Sequence, residues 1–99
     1  GAAEGVPVYV AAVDGSCRAS AFELTTVLRD AGIAAEVDHR GRSLKAQFKQ
    51  ADKIGARAVV VLGPKELAAG MATLRDMQTK EEATVALDDV VTRVAALLG

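Results

Sequence analysis

The chain has no tryptophan, one tyrosine (Tyr9), two phenylalanines (Phe22, Phe48), one cysteine (Cys17) and one histidine (His39). Each scarcity closes a class of explanation. Three aromatic rings cannot build the usual platform on which single-stranded bases stack. They also leave the core to aliphatic side chains. One thiol makes no internal disulfide, which fits a reducing cytosol. His39 has no Cys or Glu at ligand spacing, so no metal site is expected. No apolar run is long enough to cross a bilayer. The opening "GAAEGVP" has neither a basic region nor an apolar stretch, so it does not read as a secretory signal. The turn "DGSCRAS" carries one glycine where a dinucleotide fingerprint needs several, and no Gly-Lys-Ser/Thr of a P-loop occurs.

What is present suits one globular domain of 99 residues, 51% hydrophobic and 25% charged. The net charge of −1 hides an asymmetry. From Arg40 to Arg57 six basic residues face one acid, Asp52, for a local charge of +5, while the remainder carries −6. A segment biased in this way inside a mildly acidic domain points to one surface with its own partner.

Along the chain, "VPVYVAAV" (6–13) reads as a buried strand. Asp14 or Ser16 caps a helix over about 17–31, with Ala21, Leu24, Leu28 and Ala31 on one stripe widened by Val27. A weaker strand, "IAAEVD" (33–38), precedes the loop "HRGR". Ser43 caps a helix over 44–54 whose apolar arc holds Leu44, Gln47, Phe48, Ala51 and Ile54. Lys45, Lys49 and Lys53 share another arc, drifting only about 40° per step. "RAVVVLG" (57–63) is the clearest strand. "PKELAAG" is a short helical turn, and "MATLRDM" and "EEATVAL" flank "QTK" as a hairpin. A last helix runs from about Leu87 to Leu98, with Leu87, Val90, Val91, Val94, Leu97 and Leu98 inward. Strands alternating with helices imply parallel pairing and right-handed crossovers. The expected fold is therefore α/β: one three-layer domain with a mixed five-stranded sheet, parallel in its core and closed by the hairpin, and about three helices.

The lysine ridge is the strongest chemical signal. Lysines at this spacing are commonly no more than a solvated helix face. Yet Asp52 is the only acid between Arg40 and Arg57, and phosphates would answer the remaining charges. Glu66 can accept hydrogen bonds from a base edge, and Arg75 can donate two parallel ones to a guanine edge or clamp a phosphate. The plain alternative is a surface Glu66–Arg75 pair of little weight. Cys17 near a helix start lacks a base beside it and reads as a structural thiol. His39 reads as a solvated loop residue. A phospho-acceptor signalling domain would want an aspartate after the third strand, where Gly63 and Pro64 stand instead.

The stretch "RSLKAQFKQADKIGARAVVVLGPKELAAGMATLRDM" resembles the C-terminal anticodon-binding domain of the histidyl-tRNA synthetase family, class IIa aminoacyl-tRNA synthetases. The pattern S-L-K-x-Q-x-K-x-A-D-K-x-G-A, a Val-rich strand, G-x-x-E-L and T-L-R-D-M carries it. The N-terminal third is generic α/β.

The resemblance implies a mixed five-stranded sheet and a role in binding the anticodon loop of histidine tRNA. By it, Glu66 and Arg75 lie at anticodon bases, and Arg42, Lys45, Lys49, Lys53 and Arg57 are RNA-binding positions near the loop. It implies residues 6–99 as the anticodon-binding domain, with 1–5 a linker or remnant. The domain itself is expected to hold no cofactor, metal or catalytic residue. ATP and histidine belong to a catalytic domain that 99 residues cannot also contain. The parent is expected to be a cytoplasmic homodimer, bound neither to DNA nor to membrane. "MQTKEE" departs from the family, which often has a glycine in that turn. A second reading is a regulatory or protein-interaction module, such as a dimerisation domain, of the same fold that does not read tRNA.

Overall fold

The computed structural model describes residues 6–99; the expected linker at 1–5 lies outside the described residues. The strands are β1 (Val8–Ala12), β2 (Ala35–Val37), β3 (Ala58–Leu62), β4 (Met71–Asp76) and β5 (Glu82–Ala86). The helices are α1 (Arg18–Asp30), α2 (Leu44–Lys53), the short α3 (Pro64–Ala68) and α4 (Val90–Leu98). Single 3-10 turns, Gly15–Cys17 and Leu87–Asp89, lead into α1 and α4.

The sheet order is β2-β1-β3-β4-β5. β1 pairs in parallel with both β2 and β3, and β4 and β5 add antiparallel strands. The layers follow from handedness. The chain steps one way from β1 to β2, then back across β1 to β3. Right-handed crossovers in opposite directions put α1 and α2 on opposite faces. Two cores result. Val8, Val10, Val60, Leu62 and Leu74 meet α1 and α4 through Leu24, Leu28, Val90 and Val94. Tyr9, Ala11 and Val59 meet α2 through Ala51, with Leu44, Phe48 and Ile54 packed around them. The two sets alternate along each strand, as the period of two requires.

The expected three-layer mixed sheet is borne out, with α3 as a fourth, single-turn helix. Details differ. On α1, Val27 is half-exposed and Ala31 is exposed, so neither belongs to the buried stripe. Thr25 takes that place, and its Oγ1 donates to the Ala21 carbonyl at 2.7 Å. A threonine can do this because the helix itself supplies the acceptor one turn back. Leu98 is likewise exposed, being on the last turn with no element beyond it. The second strand is trimmed to three residues because only Ala35 to Val37 find partners on β1.

In the hairpin turn, Asp76 Oδ1 accepts from the backbone N–H groups of Gln78 and Thr79 at 2.8 and 3.3 Å. Lys80 adopts φ 67°, the only positive φ at a non-glycine among the described residues. It stands in the left-handed conformation that a glycine takes without steric cost.

Candidate nucleic-acid interface

α2 forms as its sequence indicates. The Ser43 hydroxyl accepts from Ala46 N–H at 3.2 Å, and Gly55 just beyond the helix has φ 73°. Gln47, only 1% exposed, sets its position. Its Nε2 donates to the carbonyls of Ala12 and Arg42, each at 2.8 Å, and its Oε1 accepts from Ala12 N–H at 3.1 Å. β2 ends at Val37, opposite Val10, so it offers Ala12 no partner. The Gln47 amide supplies both a donor and an acceptor there, as another strand residue would. A position that reads as apolar by periodicity is thus a polar anchor.

With Gln47 and Ala51 turned inward, Lys45, Lys49 and Lys53 face outward and are exposed. None of the three takes part in an ion pair among the described residues. The one acid of the stretch, Asp52, meets Lys80 of the hairpin at 3.9 Å instead. The ridge is therefore continuous and unneutralised along the helix.

Arg75 lies on the same side of the sheet. It is paired with Val59, which packs under α2, so its side chain shares that face. α2 covers β1 and β3, while β4 and β5 extend past it. Arg75 stands at this border, with its Cζ 5.0 Å from the Phe48 ring centroid and its Nη1 3.0 Å from Glu82 Oε2. The ring and the carboxylate fix the guanidinium plane. Its Nε has no hydrogen-bond partner among the described residues. Beside it, Thr73 pairs with Thr84 across the strands, which gives a polar, open sheet surface next to the lysines.

Glu66 is the third residue of α3, and its carboxylate folds back over Gly63. A Cβ on Gly63 would collide with it and touch Val13. Gly63 continues the alternation of Val59 and Val61, so the Glu66 carboxylate lies on the Arg75 side of the sheet. The two are separated along β3 by about 13 Å, four residues of strand. They do not form the surface pair that was the plain alternative, because Glu82 takes Arg75. Glu66 makes no ion pair among the described residues.

Arg42 and Arg57 are differently employed. Arg42 Nε and its backbone N–H both reach Asp38 at 2.8 Å. Burial opposes the charge of Asp38, but hydrogen bonds from Arg42 outweigh it and hold the carboxyl below the usual range. Arg57 Nη1 meets Asp76 Oδ1 at 2.6 Å. Burial again works against the Asp76 charge, and the N–H groups of Gln78 and Thr79 with the Arg57 guanidinium overcome it. Both arginines therefore tie loops to the sheet. The expectation that most charges from Arg40 to Arg57 lack a partner holds for the lysines and fails for these two. Asp76 lies 19 residues from Arg57, so local sequence could not reveal that pair. Asp38 and Arg42, four apart, were visible in sequence.

Cys17 is buried, as expected. His39 is exposed, but its ring stacks on Phe22 with centroids 5.7 Å apart. No cluster of metal-binding side chains occurs among the described residues, and no described helix is long and apolar enough to cross a membrane.

The chain is similar to known proteins. A family model described as "Anticodon binding domain" matches residues 7–97. The histidine–tRNA ligase of Anaeromyxobacter sp. (strain K) is 50% identical over 88 residues, covering 89% of this chain and 21% of that protein. That of Halothermothrix orenii is 35% identical over 95 residues, covering 96% and 23%. Among solved structures, the histidyl-tRNA synthetase of Nostoc sp. PCC 7120 superimposes with a TM-score of 0.90 at 30% identity, over 96% of this chain and 23% of that one. The apo enzyme of S. aureus gives 0.86 at 32% identity, over 93% and 27%. The chain spans about a fifth of the length of the curated relatives it matches.

Proposed function

The chain belongs to the anticodon-binding-domain family, and from that premise we propose that it holds the anticodon loop of histidine tRNA across α2 and the open face of β4 and β5. The observation that carries this reading is one of placement. Three lysines without ion-pair partners among the described residues, a guanidinium braced on Phe48 and the Glu66 carboxylate all lie on one side of the sheet. The lysines supply a track for phosphates, and Arg75 and Glu66 supply donors and acceptors for base edges. Arg42 and Arg57 act chiefly by holding the loops, through Asp38 and Asp76.

Catalysis, with ATP and histidine, belongs on this reading to the rest of a longer protein, a cytoplasmic homodimer. The test is binding of this chain to a histidine anticodon stem-loop and to the same stem-loop with altered anticodon bases, at low salt. Tighter binding of the first by tenfold or more is the expected result. Equal binding removes base readout. No binding to either favours a regulatory or protein-interaction module instead.

A further inference from the structure

Gly63 follows the carboxyl end of β3 and is buried, with the half-buried Glu66 against it. Its backbone does not call for glycine. At φ −109° and ψ 159° it is extended, a conformation open to every L-residue and the one favoured before a proline such as Pro64. Glycine there gives up stability, because it leaves the unfolded chain more freedom than alanine would. The other described glycines differ: each has a positive φ or, at Gly15, open space where a Cβ would stand. At Gly63 that space is taken. A Cβ would run into the Glu66 carboxylate, whereas Val13 Cγ2, at 3.4 Å, would be in ordinary contact. Only Glu66 stands in the way of a side chain.

The carboxylate is not held there as a helix cap. Glu66 is the third residue of α3, where a glutamate commonly accepts from the backbone N–H of the residue before the helix, here Gly63. Neither that bond nor any other to its carboxylate is formed among the described residues. It lies against Gly63 with its acceptors unused, on the face of the sheet that also carries Thr73 and Arg75 opposite Val61 and Val59. We infer that Gly63 sets the position of the Glu66 carboxylate for base readout, by leaving room that any side chain would fill, an inference that rests on the anticodon-loop reading above. An added Cβ disturbs the fold little, since what it meets is the free end of a flexible side chain that can turn away. It disturbs the site more. Ordinary contact requires the carboxylate oxygen to move by about 1 Å, and an N–H···O hydrogen bond made at about 2.9 Å does not survive that.

Gly63→Ala, Glu66→Ala and the double variant are compared with the unsubstituted chain. Each is titrated with the histidine anticodon stem-loop and with the stem-loop of altered anticodon bases, and each is unfolded in urea. Gly63→Ala unfolds at the same urea concentration or slightly above it. It lowers the ratio of the two affinities by about five- to tenfold, the effect of one hydrogen bond, and brings it to the value for Glu66→Ala. In the Glu66→Ala background it changes nothing further, because the group it displaces is gone. Its salt dependence stays that of the unsubstituted chain, since no charge is altered. A ratio that either single variant leaves intact overturns the inference, as does a further loss in the Glu66→Ala background or a chain that Gly63→Ala unfolds. The anticodon-loop reading survives all of these as long as the unsubstituted chain tells the two stem-loops apart. If the unsubstituted chain binds both equally, base readout falls and this inference falls with it.

Discussion

Salt dependence separates the basic residues that meet RNA from those that hold the fold. The chain carries six basic residues between Arg40 and Arg57, but their surroundings divide them. Lys45, Lys49 and Lys53 face outward from α2, whereas Arg42 and Arg57 are already paired with Asp38 and Asp76. A cation that neutralises a phosphate releases counterions; one that keeps its own carboxylate does not. Each lysine on single-stranded RNA contributes about −0.7 to the slope of log K against log salt, so three give about −2. Between 50 and 200 mM salt, stem-loop affinity then falls about 20-fold. For Lys49→Ala the same change costs only about sevenfold, and for the triple lysine variant almost nothing. Arg57→Ala leaves the slope unchanged while lowering the unfolding midpoint in urea, because Asp76 loses its partner. The assay is fluorescence anisotropy of a labelled stem-loop at five salt concentrations, at a temperature where every variant is folded. If Arg57→Ala or Arg42→Ala flattens the slope as Lys49→Ala does, the division of roles is wrong. If the triple lysine variant keeps the full slope, the ridge is not the phosphate track.

Three further outcomes are expected. Gln47→Met keeps the volume but leaves Ala12 N–H and the carbonyls of Ala12 and Arg42 unanswered; at about 1 kcal/mol or more each, urea unfolding shows a loss of about 3 kcal/mol. Lys80→Gly relieves the left-handed backbone at φ 67° and, since its exposed contact with Asp52 is weak, raises stability by about 0.5–1 kcal/mol. Asp38 and Asp76 both have carboxyls held below the usual value when folded. Their stabilisation is therefore complete above the unfolded value of about 4 and is lost as pH falls through the lower folded values. Asp76→Asn flattens the acid limb of a thermal-melting profile; an unchanged limb refutes its role.

Sequence by itself determined the secondary elements and the fold class. Hydrophobic periodicity, the Ser43 cap and the glycines at helix ends are local properties, read within a few residues of where they act. The alternation of strands and helices, joined to the right-handed rule, then left few ways to stack the layers. The outward lysines were legible for the same reason, since a helix fixes which residues share a face. The Thr25, Gln47 and Arg57 assignments were not. Thr25 is buried because its own helix offers an acceptor, and Gln47 because β2 stops short of Ala12. Arg57 is committed because a strand 19 residues away brings Asp76 to it. Phe48 becomes the brace of Arg75 only when α2 packs on the sheet beside β4. Period and propensity act along the chain and can be read from it. Whether a charge is free or paired, and whether a polar group is answered, depends on atoms that only tertiary packing brings within 3 Å.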